Sequence, residues 1–318
     1  MRRVLALYAA LFAMGLGWGL SIPLTKIAVS TGHRPFGLVF WQLVIVMLCL
    51  GAVTLIRGRR IVFARRYLRL FVMVALCGAV LPDIFFYAAA AELPGGIMSI
   101  VTATVAMFSL PIAVLMGNEV FEWQRFAGVV LGLGGIVLLV GPEASLPDGA
   151  SALFVLVALC APALYATEGN LVAKWGTQGL DPMQVIIGAS VIGSVVALPI
   201  ALGTGQWINP LASFGVPELA LIAAAALHAL VYASYVWMVG HAGSVFSAQT
   251  AYMVTAAGVL WSMALLGESY SIWVWLALGV MMLGMFLVQP RAVRVLVPGR
   301  VMDENADADM TSDRDRQS

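Results

Sequence analysis

Residues 68–91 read LRLFVMVALCGAVLPDIFFYAAAA, an apolar run with Arg69 at its start and a single charge, Asp83, in its interior. A helix rises 1.5 Å per residue and needs about 20 residues to cross roughly 30 Å of hydrocarbon. The run is therefore long enough to span a bilayer. Pro82 removes a backbone donor and frees a carbonyl one turn earlier. The stretch thus combines a break in a helix with a carboxylate, inside a segment that reads as lipid-embedded.

The same reading extends outward along the chain. Of 318 residues, 62% are hydrophobic and 10% are charged, whereas soluble domains average about 45–50% and about 25%. A chain this apolar needs lipid as solvent. Ten stretches of spanning length can be cut: Leu5–Val29, Gly37–Ile56, Leu68–Ala91, Ile97–Met116, Trp123–Val140, Ser151–Ala173, Met183–Leu202, Leu219–Val239, Ser244–Leu266 and Trp273–Val288. Turn-forming or charged clusters separate them: Arg57-Gly58-Arg59-Arg60, Leu93-Pro94-Gly95-Gly96, Gly117-Asn118-Glu119, Gly141-Pro142-Glu143 and Gln289-Pro290-Arg291. Irregular backbone cannot face lipid, so such breaks belong at the water interfaces. The start, Met1-Arg2-Arg3, resembles a signal peptide. The apolar run after it exceeds the ~7–15 residues of a signal core and no A-x-A site closes it, so it is read as the first span.

With the N-terminus in the cytoplasm, ten spans place fifteen of the seventeen Lys and Arg residues in cytoplasmic segments. Only Arg34 falls on the other face, and Lys26 near the outer end of the first span. The positive-inside rule asks for this asymmetry. Both termini are then cytoplasmic. Residues 291–318 end in Val301–Ser318, with six acidic residues and two arginines and no apolar periodicity, and they read as a disordered tail.

A weak duplication recurs at a separation of 149 residues. It sets Leu81 on Leu230, Val105 on Val254, Glu119 on Glu268 and Gly135 on Gly284, and Phe86 and Phe121 on Tyr235 and Tyr270. Each half, 1–145 and 146–290, holds five spans. Five is odd, so the second half enters the membrane upside down. Inverted repeats are a common plan of secondary transporters, whose halves rock about a midplane site.

Gly17-Trp18-Gly19, then Ser21-Ile22-Pro23, mark the first span. Gly117-Asn118-Glu119 and Leu266-Gly267-Glu268 end the fourth and ninth, each before a glycine-rich span. As an ordered set these resemble the EamA branch of the drug/metabolite transporter superfamily, over residues ~5–290. The resemblance implies an all-α integral membrane fold of ten transmembrane helices in two inverted EamA repeats. It also implies a central cavity lined by spans one to four and six to nine, a cytoplasmic (inner) membrane location, and export or exchange of a metabolite. Many such proteins carry an arginine early in the second span; this chain has Trp41-Gln42 there.

Enzyme chemistry has no positive support. Cys49, Cys77 and Cys160 sit apart inside apolar runs, and His33, His228 and His241 form no metal-binding spacing. There is no phosphate loop and no nucleophile elbow. No metal or cofactor is expected, and a net charge of +1 gives no reason for a nucleic-acid partner. The expected partners are a small solute and lipid.

Charges inside a membrane cost about 2.5–3.5 kcal/mol on insertion scales, so each asks for a reason. Asp83 shares a helix face with Tyr87; it is either a midplane cation or proton site or a helix-end residue. Glu168 lies on one face with Pro162 and Tyr165. A carboxyl group there is either a proton acceptor or the partner of Lys174. Asp83 and Glu168 are the proton-coupling candidates. His228, Tyr232 and Tyr235, at i, i+4 and i+7, form a polar-aromatic stripe. Trp18 and Gln42 add polar-tipped groups in the first two spans, and Gln249 and Tyr252 share a face of the ninth. All ten are candidate substrate-binding residues. Lys26 and Lys174 read as snorkelling to the interfaces, and Glu119, Glu122 and Glu268 as structural. Gly15-x-x-x-Gly19 and Gly128-x-x-x-Gly132 allow close helix approach within a monomer, or, for the latter, in a homodimer. The expectation is a secondary transporter, an exporter of an amino acid, amine or similar metabolite working by alternating access, with proton coupling. An uncoupled facilitator or exchanger, or a non-transporting membrane sensor or assembly protein, remains the alternative.

Overall fold

The computed structural model describes residues 2–141, 152–210, 212, 214–242 and 244–288. The expected tail, 291–318, lies outside them. The described residues form helices and no strand. In the first half these are α1 (Arg2–Ala28), α2 (Pro35–Ile56), a short 3₁₀ turn (Arg65–Tyr67), α3 (Leu68–Ala75), a π-helical turn (Leu76–Val80), α4 (Leu81–Glu92), α5 (Gly95–Thr102), α6 (Val105–Leu115) and α7 (Trp123–Val140). The second half holds α8 (Ala152–Trp175), α9 (Pro182–Gly203), α10 (Val216–Ala242), α11 (Ser244–Ala248), α12 (Thr250–Leu266) and α13 (Ile272–Val288).

Among the described residues nine helical segments are long and apolar enough to cross a membrane, and α13, with 17 residues, is a shorter apolar tenth. The outward surface is apolar: Leu48, Leu115, Val137, Val195, Leu260 and Phe286 are all more than half exposed. On a soluble protein that surface would be a liability; against acyl chains it is the favourable one.

Three expected spans are interrupted. In the third, the ring of Pro82 would collide with the carbonyl four residues back, that of Gly78. The chain widens into the π turn at Leu76–Val80 and α4 restarts with Pro82 in its first turn, where no donor is needed. The fourth and ninth spans, read from sequence as continuous, are each broken as well. Ala103 and Thr104 bond back three residues between α5 and α6, and Gln249 bonds back to Phe246 between α11 and α12. Neither joint contains proline or glycine, so composition gave no warning of it.

The two halves interlock rather than stand side by side. α1 packs against α10 and α12, and α8, its counterpart, packs against α4 and α6. α2 packs on α9 and α10, and α9 on α2 and α3. α7 pairs with α13. There the expected close approach of Gly128 and Gly132 is met inside the chain: a Cβ on Gly284 would stand 2.7 Å from the Gly132 nitrogen and 2.8 Å from the Gly128 carbonyl oxygen. The glycine pair is thus taken up by α13, and the alternative of a dimer contact through it is not needed. Gly15 and Gly19 likewise let α1 approach α12 at Met253 and Ala257.

Polar contacts gather at the two ends of the bundle. At one end Arg59 pairs with Asp181, whose side chain also caps α9 in a capping box with Gln184. At the same end Lys174 Nζ donates to the Met116 carbonyl at 3.0 Å, and Arg125 bonds Glu119 at 2.7 Å and the Val288 carbonyl at 2.9 Å. At the other end His33 meets Glu218 at 2.6 Å, the Phe36 amide donates to Gln206 at 3.1 Å, and Lys26 Nζ donates to the Ala91 carbonyl at 3.0 Å. Both lysines therefore tie down orphan carbonyls at helix ends, a more specific role than snorkelling.

Gly117 and Gly267 adopt left-handed φ of 73° and 68°, which terminates α6 and α12. The reversal at Gly267 aims Glu268 back at α5. Its carboxylate accepts from the amides of Gly95 at 2.8 Å and Gly96 at 3.2 Å, and from the Tyr270 hydroxyl. A carboxylate there satisfies orphan donors at a helix start. Glu119, its counterpart in the first half, instead pairs with Arg125. Glu122 precedes α7 and makes no side-chain cap.

Candidate functional site

Two polar clusters lie between the ends of this apolar bundle. The first is centred on Asp83, which is 7% exposed on α4. Gln42 Nε2, from α2, donates to Asp83 Oδ2 at 2.6 Å. The Tyr165 hydroxyl, from α8, donates to Oδ1 at 2.7 Å. Tyr87, one turn after Asp83, donates to Gln42 Oε1. The amide of Gln42 is thereby oriented at both ends, and each carboxylate oxygen receives one donor. A carboxylate offers about four lone-pair sites, so Asp83 keeps capacity for a proton or a cation.

Glu168 lies on α8, one turn after Tyr165. Its stem rests on the π turn: a Cβ at Gly78 would stand 2.8 Å from Glu168 Cγ. Glu168 is half-buried, and among the described residues no hydrogen bond or ion pair reaches its carboxylate. The alternative pairing with Lys174 is not formed, since Lys174 turns to Met116. Asn170 instead holds the helix end, bonding Ser109 at 3.1 Å while Asn118 donates to its carbonyl at 2.9 Å. Glu168 lies within electrostatic reach of Tyr165 and of Tyr232 on α10. Yet α8 packs on α4 and α6, while α10 packs on α1 and α2. The two helices therefore form opposite walls.

The second cluster lines the α10 wall. Trp18 Nε1, from α1, donates to His228 Nδ1 at 3.1 Å. The Trp18 ring meets His228 and Tyr235 edge-on, with centroids 5.5 and 6.1 Å apart. The hydroxyls of Tyr232 and Tyr235 and the second nitrogen of His228 have no partner among the described residues, and none of them is sealed from the surface.

The sequence-derived candidates thus divide. Gln42, Asp83 and Tyr87 form one network; Trp18, His228 and Tyr235 form another; Glu168 and Tyr232 are bonded to neither and lie within electrostatic reach of each other. Gln249 and Tyr252 do not join either. Gln249 is exposed at the α11–α12 joint, and the Tyr252 hydroxyl is buried without a partner, as is the nearby Thr250 hydroxyl. Their shared helical face, assumed from spacing, is disrupted because the helix restarts at Thr250. The residue that sequence reasoning passed over is Tyr165. Its place on the Glu168 face was visible, but its bond to Asp83 crosses between halves and has no local signature. Among the described residues no group of His, Cys, Asp and Glu is arranged to hold a metal ion.

The fold and the relatives agree on what kind of molecule this is. The chain is 25% identical over 295 residues to an "Uncharacterized inner membrane transporter YedA" of Escherichia coli strain K12, covering 90% of this chain and 92% of that protein. The YedA proteins of strains O6:H1 and O157:H7 match equally. A solved structure described only as "Crystal structure of protein" superposes with a TM-score of 0.61 at 15% identity, over 89% of this chain and 96% of that one, which shows a shared fold. The profile of the EamA-like transporter family matches residues 5–141 and again residues 152–289. The chain therefore belongs to the EamA-like transporter family and is a multi-pass membrane protein built on that family's repeat.

Proposed function

We propose that this chain is a secondary transporter that exports a small amine-bearing metabolite, an amino acid or amine, by alternating access with proton coupling. The observation that carries the reading is the Glu168 carboxylate, which no hydrogen bond or ion pair reaches among the described residues and which rests against the π turn of the helix that carries the Asp83 network. A carboxylate held in apolar surroundings without a protein cation is a site for a cation from outside the protein. Asp83 adds a second, oriented carboxylate, and the Tyr232–Tyr235 face packs against the apolar part of the solute.

Two inverted five-helix repeats, 1–145 and 146–290, are part of the same proposal. Support comes from the pairing of α1 with α10 and α12, which is repeated by α8 with α4 and α6, as a two-fold relation between halves requires. Tyr165 to Asp83 and Trp18 to His228 are likewise matched bonds, each from the first span of one half to the third span of the other. The segregation of loop contacts to two ends agrees with ten crossings. The lysines and arginines, together with the description of YedA, favour the cytoplasmic (inner) membrane with both termini cytoplasmic.

The test is flux of amines into proteoliposomes under an imposed pH gradient, for the parent chain and for Asp83→Asn and Glu168→Gln. Gradient-driven flux that both substitutions abolish supports the reading. Flux indifferent to the gradient points to an uncoupled facilitator, and no flux of any amine that binds points to a sensor.

A further inference from the structure

The hydrogen-bonding groups of the α10 wall narrow the class of solute. An indole N–H can only donate, so His228 Nδ1, which receives it at 3.1 Å, must be an acceptor. The imidazole proton is therefore on Nε2. A second proton, on Nδ1, would set two donors against each other. Trp18 thus fixes His228 as a neutral ring with its proton on Nε2, and that donor has no acceptor among the described residues. Tyr232 and Tyr235 leave the helix backbone about 6 and 10 Å further along its axis than His228, and their hydroxyls are also without acceptors among the described residues. One wall presents neutral donors and the other presents Glu168.

Among the residues whose side chains are described, no lysine or arginine bonds to Trp18, His228, Tyr232, Tyr235 or Glu168. Lys26, Lys174 and Arg125 are held at helix ends by carbonyls. Arg59 is paired with Asp181, and Arg66 and Arg69 lie over the rings of Tyr67 and Trp175. A solute carboxylate placed against His228 would be a desolvated anion near a protein carboxylate, with neutral donors alone to compensate it. A carbonyl placed there would gain the same bonds without that penalty.

Resting on the amine reading above, we infer that the preferred solute is a monocationic aromatic or apolar amine bearing an uncharged hydrogen-bond acceptor, such as an amide or ester carbonyl, and not a free carboxylate. Its ammonium meets Glu168, its acceptor meets His228 Nε2–H, and its apolar body lies against Trp18 and Tyr235.

Thermal-shift titration of the purified full chain with four probes sharing one ring system tests this: phenethylamine, phenylalaninamide, phenylalanine and 3-phenylpropionamide. Phenylalaninamide should bind about tenfold more tightly than phenethylamine, the value of one net hydrogen bond, and more tightly than phenylalanine. His228→Phe should remove that advantage, so that phenylalaninamide binds no more tightly than phenethylamine to the same variant. His228→Gln, which can accept from Trp18 and still donate, should keep it, and this second variant guards against a simple loss of folding. Phenylalanine binding as well as the amide overturns the inference, as does an amide advantage that survives in His228→Phe. If phenethylamine binds and the amide is no better, the inference fails alone. If neither amine binds while 3-phenylpropionamide does, the amine reading fails with it.

Discussion

The Tyr165 hydroxyl donates to Asp83 Oδ1 at 2.7 Å, and with that bond α8 of the second half is tied to α4 of the first. Tyr165→Phe keeps the ring and deletes the donor. Asp83 would then hold a single bond, from Gln42. A buried hydrogen bond to a charged group is worth about 1.5–3 kcal/mol, so unfolding in detergent should show a loss of roughly that size. Transport should fall more than the loss of folded protein explains, because Asp83 is released from its set orientation. An unchanged rate per folded molecule would show that the bond only braces the bundle.

The Glu268 contact with α5 should weaken in alkali. Tyr270 lies in the loop between α12 and α13. Its burial, and then its bond to Glu268, push its pKa above the ordinary value of about 10. A group whose pKa is raised on folding stabilises the fold fully below its unfolded pKa. The contribution is lost as pH rises from about 10 towards the folded value. The unfolding temperature should therefore decline between about pH 10 and pH 11, and the decline should be shallower in Tyr270→Phe. Glu268→Ala removes the cap outright and should cost about 1 kcal/mol at neutral pH. An alkaline limb that is identical in Tyr270→Phe would assign it to another group.

Gly284 and Gly279 lie on the same helix and should respond oppositely. A Cβ on Gly284 would press on the backbone of Gly128 and Gly132, which cannot retreat as a side-chain tip can. Overpacking of this kind costs about 1–3 kcal/mol. Around Gly279 nothing lies within 4 Å, so Gly279→Ala should be neutral or gain up to about 1 kcal/mol from helix propensity. Comparable losses in both would mean that α7 and α13 are not joined through their glycines.

Much of the architecture could be read from composition because lipid imposes one rule everywhere: about twenty apolar residues, then a polar break. Span limits such as Trp123–Val140 coincide with α7 for that reason. The interruptions at Thr104 and Gln249 could not be read, since neither joint contains the proline or glycine that marks a break. The site was legible as residue types and not as partners. Asp83 and Glu168 announce themselves by the cost of a charge in lipid. Which of them is bonded and which is open depends on Gln42 and Tyr165, distant in sequence from Asp83 by 41 and 82 positions. Polar pairing across helices leaves no periodic trace.

Gly78 offers a way to disturb Glu168 without touching its chemistry. Because the π turn brings Gly78 against the glutamate stem, a methyl group there would meet Cγ at 2.8 Å and Cδ at 3.1 Å. The obstacle is a side chain that can rotate away, so Gly78→Ala should leave stability within about 1 kcal/mol. The carboxylate would be displaced from its position beside the π turn. Flux, and binding of amines, should then fall at least about tenfold, since a change in position of about 1 Å is enough to disrupt a site built from fixed groups. Gly169→Ala, beside Glu168 but open on its outer face, should leave both intact. If Gly78→Ala transports normally, Glu168 is not the group that receives the cation, whatever its isolation in the bundle implies.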